Sequence, residues 1–164
     1  MTTMAAFREV VPVISARVNG ATKDYTFYIK PLVPISAGSA ITIQILDNTN
    51  GTNEISLPST LSCPIYYNNN TIATTCTVSG STATIVPSLP LSDASGTIQY
   101  ILVVSSMILA RTPRSSSNFR ITSLTGSGFG VQTTMISSIP NNEPNNIQLV
   151  GLTIVTQPSR LNEK

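Results

Sequence analysis

The chain reads as an all-β protein, an antiparallel β-sandwich with a strand-bearing arm at each end. Three observations predict this. Apolar residues recur with a period of two, as in Tyr25, Phe27 and Ile29, or Ile41, Ile43 and Ile45. A period of two places one apolar and one polar face on each segment. Turn-forming clusters of Asn, Gly, Pro and Ser interrupt these runs at short intervals. Only 10% of the 164 residues are charged, and Ser, Thr and Asn together supply 56 positions. That composition excludes a coiled coil, a long charged helix and a disordered polyelectrolyte. No window of eleven or more residues carries helical spacing.

The elements follow in order. A first strand is expected near residues 10–18, and Asn19-Gly20 separates it from a second at 24–30. Pro31 and Pro34 break the chain before a strand at 40–46. Residues 47–53, Asp-Asn-Thr-Asn-Gly-Thr-Asn, form a turn, and Asn-Gly suits a hairpin because both residues tolerate positive φ. Tyr67-Asn68-Asn69-Asn70 is a second turn. Ser79-Gly80-Ser81 divides a strand ending near Val78 from one at 83–86. Leu89-Pro90 and residues 93–96 lead into a long strand starting at Thr97, with Ile98, Tyr100, Leu102 and Val104 in alternation. Phe119 and Ile121 mark a further strand. Residues 140–146 are a polar linker before a last strand at 147–155 and a polar tail at 157–164. The expected division is therefore an N-terminal arm or first strand (1–18), a sandwich domain (19–139), and a segment of linker, last strand and tail (140–164). Each terminal strand either closes the chain's own sheet or adds to a neighbouring copy's open edge. The residues expected to mediate assembly are Val11 and Val13 in the first arm and Ile147, Leu149, Leu152 and Ile154 in the last.

Composition narrows the chemistry. Nine basic residues against seven acidic ones leave a formal charge of +2, too little for a nucleic-acid footprint. With no His and no Trp, most metal sites and general-base mechanisms are missing. The three lysines, Lys23, Lys30 and Lys164, show no Ser-x-x-Lys spacing, and the carboxylates are scattered over turns. The expectation is a protein that is not an enzyme and binds no cofactor and no metal. Asp47, Asn48, Asn50 and Glu54 lack the spacing of a calcium loop and read as a hydrogen-bonded turn. Residues 98–110 are apolar but contain Gln99, Ser105 and Ser106 and fall short of the roughly 20 residues of a spanning helix. No membrane insertion is expected, and no secretory signal opens the sequence. An extracellular location therefore requires a processed chain or a segment of a larger one.

Cys63 and Cys76 lie 13 positions apart in Ser/Thr/Asn-rich surroundings. They read as a disulfide closing a local hairpin or loop in an oxidising compartment, with two buried thiols as the other reading. Asn50-Gly51-Thr52 and Asn69-Asn70-Thr71 fit the N-glycosylation pattern, with Asn50 and Asn69 as acceptors, or else serve as plain turn residues. Arg111, Arg114 and Arg120 gather around one turn. They suit an anionic glycan or a partner's carboxylates, or a solvated edge that discourages aggregation. Tyr66 and Tyr67 beside the Asn run suit stacking on a sugar or a neighbour.

The middle of the chain resembles a repeated extracellular domain of large ciliate and protist surface proteins. The resemblance rests on Gly20-Ala21-Thr22 with Tyr25-Thr26-Phe27, and on Pro34-Ile35-Ser36-Ala37-Gly38 with Ile41-Thr42-Ile43. It continues through Leu61-Ser62-Cys63, Cys76-Thr77-Val78-Ser79-Gly80, and Thr112-Pro113-Arg114-Ser115 with Ser117-Asn118-Phe119-Arg120-Ile121. It covers about residues 11–125 and implies an Ig-like β-sandwich strung in surface or filament glycoproteins. This chain departs from the pattern in offering one module with an arm at each end. The expected function is a non-catalytic structural subunit of an extracellular filament or surface coat. Its partner would be itself or a neighbouring β-domain, joined through terminal strands and edges. The alternatives are a carbohydrate- or receptor-binding adhesin module and a viral capsid or fibre sandwich.

Overall fold

A computed structural model of the chain describes residues 4–14, 22–46, 55–93, 95–108 and 117–139. Among them are ten strands: β1 (Glu9–Ile14), β2 (Thr22–Lys30), β3 (Ile41–Leu46), β4 (Ile65–Tyr67), β5 (Asn70–Ile72), β6 (Thr74–Ser79), β7 (Thr82–Pro87), β8 (Tyr100–Ile108), β9 (Ser117–Leu124) and β10 (Gly130–Ile139). They form two five-stranded antiparallel sheets, ordered β1-β2-β8-β4-β5 and β10-β9-β3-β7-β6. The order β1-β2-β8-β4 corresponds to strands A-B-E-D of an immunoglobulin sandwich, and β3-β9-β10 to C-F-G. β5, β6 and β7 are inserted between D and E.

Alternation in sequence becomes inside and outside in space. Ile41, Ile43 and Ile45 of β3 are buried while Thr42 and Gln44 face outward, and β2 buries Tyr25, Phe27 and Ile29 in the same way. The core centres on aromatic rings drawn from both sheets: Phe119 of β9 lies 5.4 Å from Tyr25 and 6.0 Å, edge-on, from Phe27. Edge-on and offset arrangements suit the ring quadrupoles and add to the burial of these large side chains.

Residues 5–14 belong to the body of the sandwich. Ala5 bridges Gln132 in parallel, Thr133 N–H donates to the Ala5 carbonyl (2.7 Å), and Phe7 N–H donates to Thr134 Oγ1 (3.0 Å). The segment thus covers the edge of β10, then crosses to the other sheet and pairs with β2 from Glu9↔Lys30 to Ile14↔Tyr25. Glu9 and Lys30 form an ion pair at the head of that ladder. Pro12 has no N–H and is tolerated because, among the described residues, β1 has a strand on one side only. The expected continuation of this strand to residue 18 and the turn at 47–53 lie outside the described residues, as does everything from residue 140.

One expected turn is met, and two local features differ from the sequence expectation. The run of Asn after Tyr67 is the tight turn of a β4–β5 hairpin, with Asn68 and Asn69 both at positive φ (48° and 63°) as a type I′ turn requires. The long strand starts at Tyr100 instead of Thr97, because the Asp93 carboxylate accepts the Thr97 N–H (2.9 Å) and draws 97–99 away from the ladder. Within β8, Ser106 sits at φ 61° in a bulge, and its N–H donates to Asp24 Oδ1 (2.9 Å). The extra residue resets the alternation, so Met107 turns inward and is fully buried.

Strand directions give the sandwich two poles. Residues 31–40, 87–92 and 125–129 converge at one, tied by Ile35↔Leu91 pairing and by Leu124 N–H donating to the Ala40 carbonyl. Residue 4 lies at this pole, while β10 runs away from it and ends at Ile139 at the opposite one. Gln132, fully buried, fastens the near pole: its Oε1 accepts the N–H groups of Leu32 (3.0 Å) and Val33 (3.2 Å), and its Nε2 donates to the Val33 carbonyl (2.8 Å).

Candidate functional site

The two outer faces differ in chemistry. Across the second sheet one row, read through the strand register, is Thr133–Thr122–Thr42–Thr84–Thr77. Hydroxyls therefore solvate that row, with Arg120 as a charge in the row beside it; Thr122 and Thr133 also hydrogen-bond each other at 2.9 Å. The corresponding row of the first sheet is Val11–Tyr28–Ile101–Tyr66–Thr71. At its end Val11 and Val13 of β1 are 40% and 45% exposed, on a strand whose outer edge no described strand pairs. The near pole continues this apolar character. No charged residue occurs in 31–40, 87–92 or 125–129, yet Leu32 (48%), Leu89 (56%) and Phe129 (73%) stand exposed there. Exposed apolar side chains that join into one patch mark a contact surface, and here the Glu9–Lys30 ion pair stands at its margin.

At the other edge of the first sheet a groove of about 650 Å³ opens beside the β4–β5 hairpin. β4 pairs with β8 only at Ile65↔Leu102 and Tyr66↔Ile101, and beyond that the two segments part. Tyr66, Tyr67, Asn68 and Asn69 line one side, Thr97, Ile98 and Gln99 the other, with Ile101 between them. The walls are fixed. Tyr67 packs on Tyr100 (ring centroids 5.3 Å), whose hydroxyl donates to the Ser92 carbonyl and accepts the Ser92 N–H, each at 3.0 Å. Asp93 Oδ1 holds the opposite wall through Thr97 N–H and the Ser95 hydroxyl. Burial alone would raise the Asp93 carboxyl, but the Ser95 hydroxyl and the N–H groups of residues 96–98 outweigh it and hold the group below its ordinary 3.8.

The structure thus unites Tyr66 and Tyr67 with the exposed sequon residue Asn69, on a surface turn. It does not bring Arg120 to them: Arg120 lies within β9 on the outer face of the second sheet, opposite Gln44 and Met135. Arg111, Arg114, Asn50, Ile147, Leu149, Leu152 and Ile154 lie outside the described residues. Cys63 and Cys76 are bonded, with Cα atoms 6.2 Å apart. The bond does more than close a hairpin: Cys63 precedes β4 of the first sheet and Cys76 lies in β6 of the second, so it staples the sheets.

No family model and no curated protein matches the chain. Among the described residues no three His, Cys, Asp or Glu side chains gather as metal ligands, and no helix is long and apolar enough to cross a membrane. Sequence reasoning missed Gln132, the exposed pole residues and the Thr97–Gln99 wall. Gln132 gave no signal, because no strand is expected at 130–139 and its inward position appears only with β10. The wall gave none, because it exists only where β4 and β8 separate.

Proposed function

We propose that the protein is a non-catalytic structural subunit that assembles head to tail into an extracellular filament or coat. The observation that carries this reading is the polarity of the sandwich. The exposed apolar side chains of the near pole and the start of β1 are at the end where residue 4 lies, and β10 ends with Ile139 at the opposite one. A segment containing Ile147, Leu149, Leu152 and Ile154 leaves one copy where it can reach the next copy's β1. There it pairs with the β1 edge on either side of Pro12, which offers no N–H at that one position, and the contact at Leu32, Leu89 and Phe129 excludes water. Such a joint is heterologous and does not close, so it propagates as a filament. The Cys63–Cys76 bond is compatible with an oxidising exterior, and the resemblance to ciliate and protist surface repeats agrees with that setting.

The test is the state of the purified chain against concentration, by analytical ultracentrifugation and negative-stain microscopy. Concentration-dependent linear polymers, lost on Val11→Lys with Val13→Lys or on deletion of residues 145–164, support the reading. A full chain that stays monomeric at high concentration overturns it.

A further inference from the structure

We infer that the groove beside the β4–β5 hairpin is a binding site for a neutral oligosaccharide. The groove lies at the edge of the sheet away from β1, three strand spacings or about 14 Å off, and its 97–99 wall adjoins the near pole through the Tyr100–Ser92 bonds.

The lining chemistry selects the ligand class. Hydrogen-bonding but uncharged side chains dominate: the amides of Asn68, Asn69 and Gln99, the hydroxyl of Thr97, and the phenols of Tyr66 and Tyr67. Each amide offers a donor and an acceptor side by side, which matches adjacent sugar hydroxyls that themselves donate and accept. Tyrosine rings and isoleucine side chains supply apolar surface for the C–H faces of a pyranose. A charged ligand would lose hydration here with no counter-charge among the lining residues. The volume, about 650 Å³, falls within the roughly 300–1,000 Å³ of small-molecule sites. The site is also pre-formed. The Tyr100 hydroxyl is locked to Ser92, Asp93 fixes the Thr97 wall, and the left-handed turn fixes Asn68 and Asn69. Binding then loses little conformational entropy.

The probe is an array of neutral gluco-, galacto- and manno-oligosaccharides together with sialylated and sulfated glycans, read with protein made in a host that does not glycosylate Asn69. Hits are followed by titration with the free sugar under amide NMR. The expected result is a neutral glycan whose shifts map to residues 66–69 and 97–99, with affinity lowered about tenfold or more by Tyr66→Ala and by Gln99→Ala. The variant Val11→Lys with Val13→Lys, which blocks assembly but not the groove, keeps the affinity. Unchanged melting temperatures for Gln99→Ala separate loss of contact from loss of fold. Binding confined to anionic glycans, neutral binding that survives both groove substitutions, shifts mapping elsewhere, or no neutral ligand at saturating sugar each overturn the inference.

Discussion

Gln132→Leu removes the side chain that fastens the near pole. Leucine is close to glutamine in volume, so little of the effect arises from a cavity. The loss is three hydrogen bonds of 2.8, 3.0 and 3.2 Å, which leaves the N–H groups of Leu32 and Val33 and the Val33 carbonyl without their partner. Leu32 is exposed and Val33 half-buried, so water takes over part of what is lost, and at about 1 kcal/mol net per bond the substitution is expected to destabilise by about 2–3 kcal/mol. That is a sizeable part of the roughly 5–15 kcal/mol of a typical domain. It corresponds to a fall in melting temperature of about 5–10 °C. Urea titration followed by far-UV circular dichroism measures it, with Met135→Ala, a substitution of an outward side chain on the same strand, as the control expected to change stability by about 0.5 kcal/mol or less. A loss below about 1 kcal/mol for Gln132→Leu would refute the assignment of these bonds as the clasp of the 31–34 bend.

Other consequences follow from the same geometry. Replacing both cysteines by serine should lower stability by about 3 kcal/mol, checked by chemical denaturation with and without reductant on the parent chain. Asp24→Ala leaves the bulge at Ser106 without its acceptor and should cost about 1 kcal/mol, with faster hydrogen exchange at the Ser106 amide as the local readout. Asp93 has a carboxyl pKa below 3.8 in the folded state, so the unfolded chain binds its proton first as acid is added. Its contribution to stability is therefore complete above about pH 4 and is lost as pH falls through the folded value. Asp93→Asn should flatten that acid limb in a series of denaturation curves, and a limb of unchanged steepness would contradict the assigned hydrogen bonds.

Much of the fold was legible because burial in a sheet leaves a periodic trace. Ile41, Ile43 and Ile45 had to share a face whatever their partners were, and the turn residues at 68–69 and 79–81 could adopt the φ angles that hairpins need. Partner choice left no such trace. Nothing local distinguishes the outward Thr42 and Thr84 of a solvated face from the outward Tyr28 and Ile101 of an apolar one until the register aligns them. The same holds for the disulfide. Spacing indicated a loop, and only the pairing of β6 with β7 and of β4 with β8 makes it a link between sheets. The groove was half legible. Tyr66, Tyr67 and Asn69 are close in sequence, but Thr97 and Gln99 meet them only because Asp93 holds the chain off the ladder through a local bond to Thr97 and β8 pairs with β4 across the sequence.

Mixing two assembly-blocked chains tests the head-to-tail claim most directly. One carries Val11→Lys and Val13→Lys, the other lacks residues 145–164, and each alone is expected to sediment as a monomer. Combined, the intact tail of the first meets the intact β1 edge of the second, and the account predicts a discrete heterodimer that grows no further. Two species that stay monomeric together, although the unaltered chain polymerises, would contradict it.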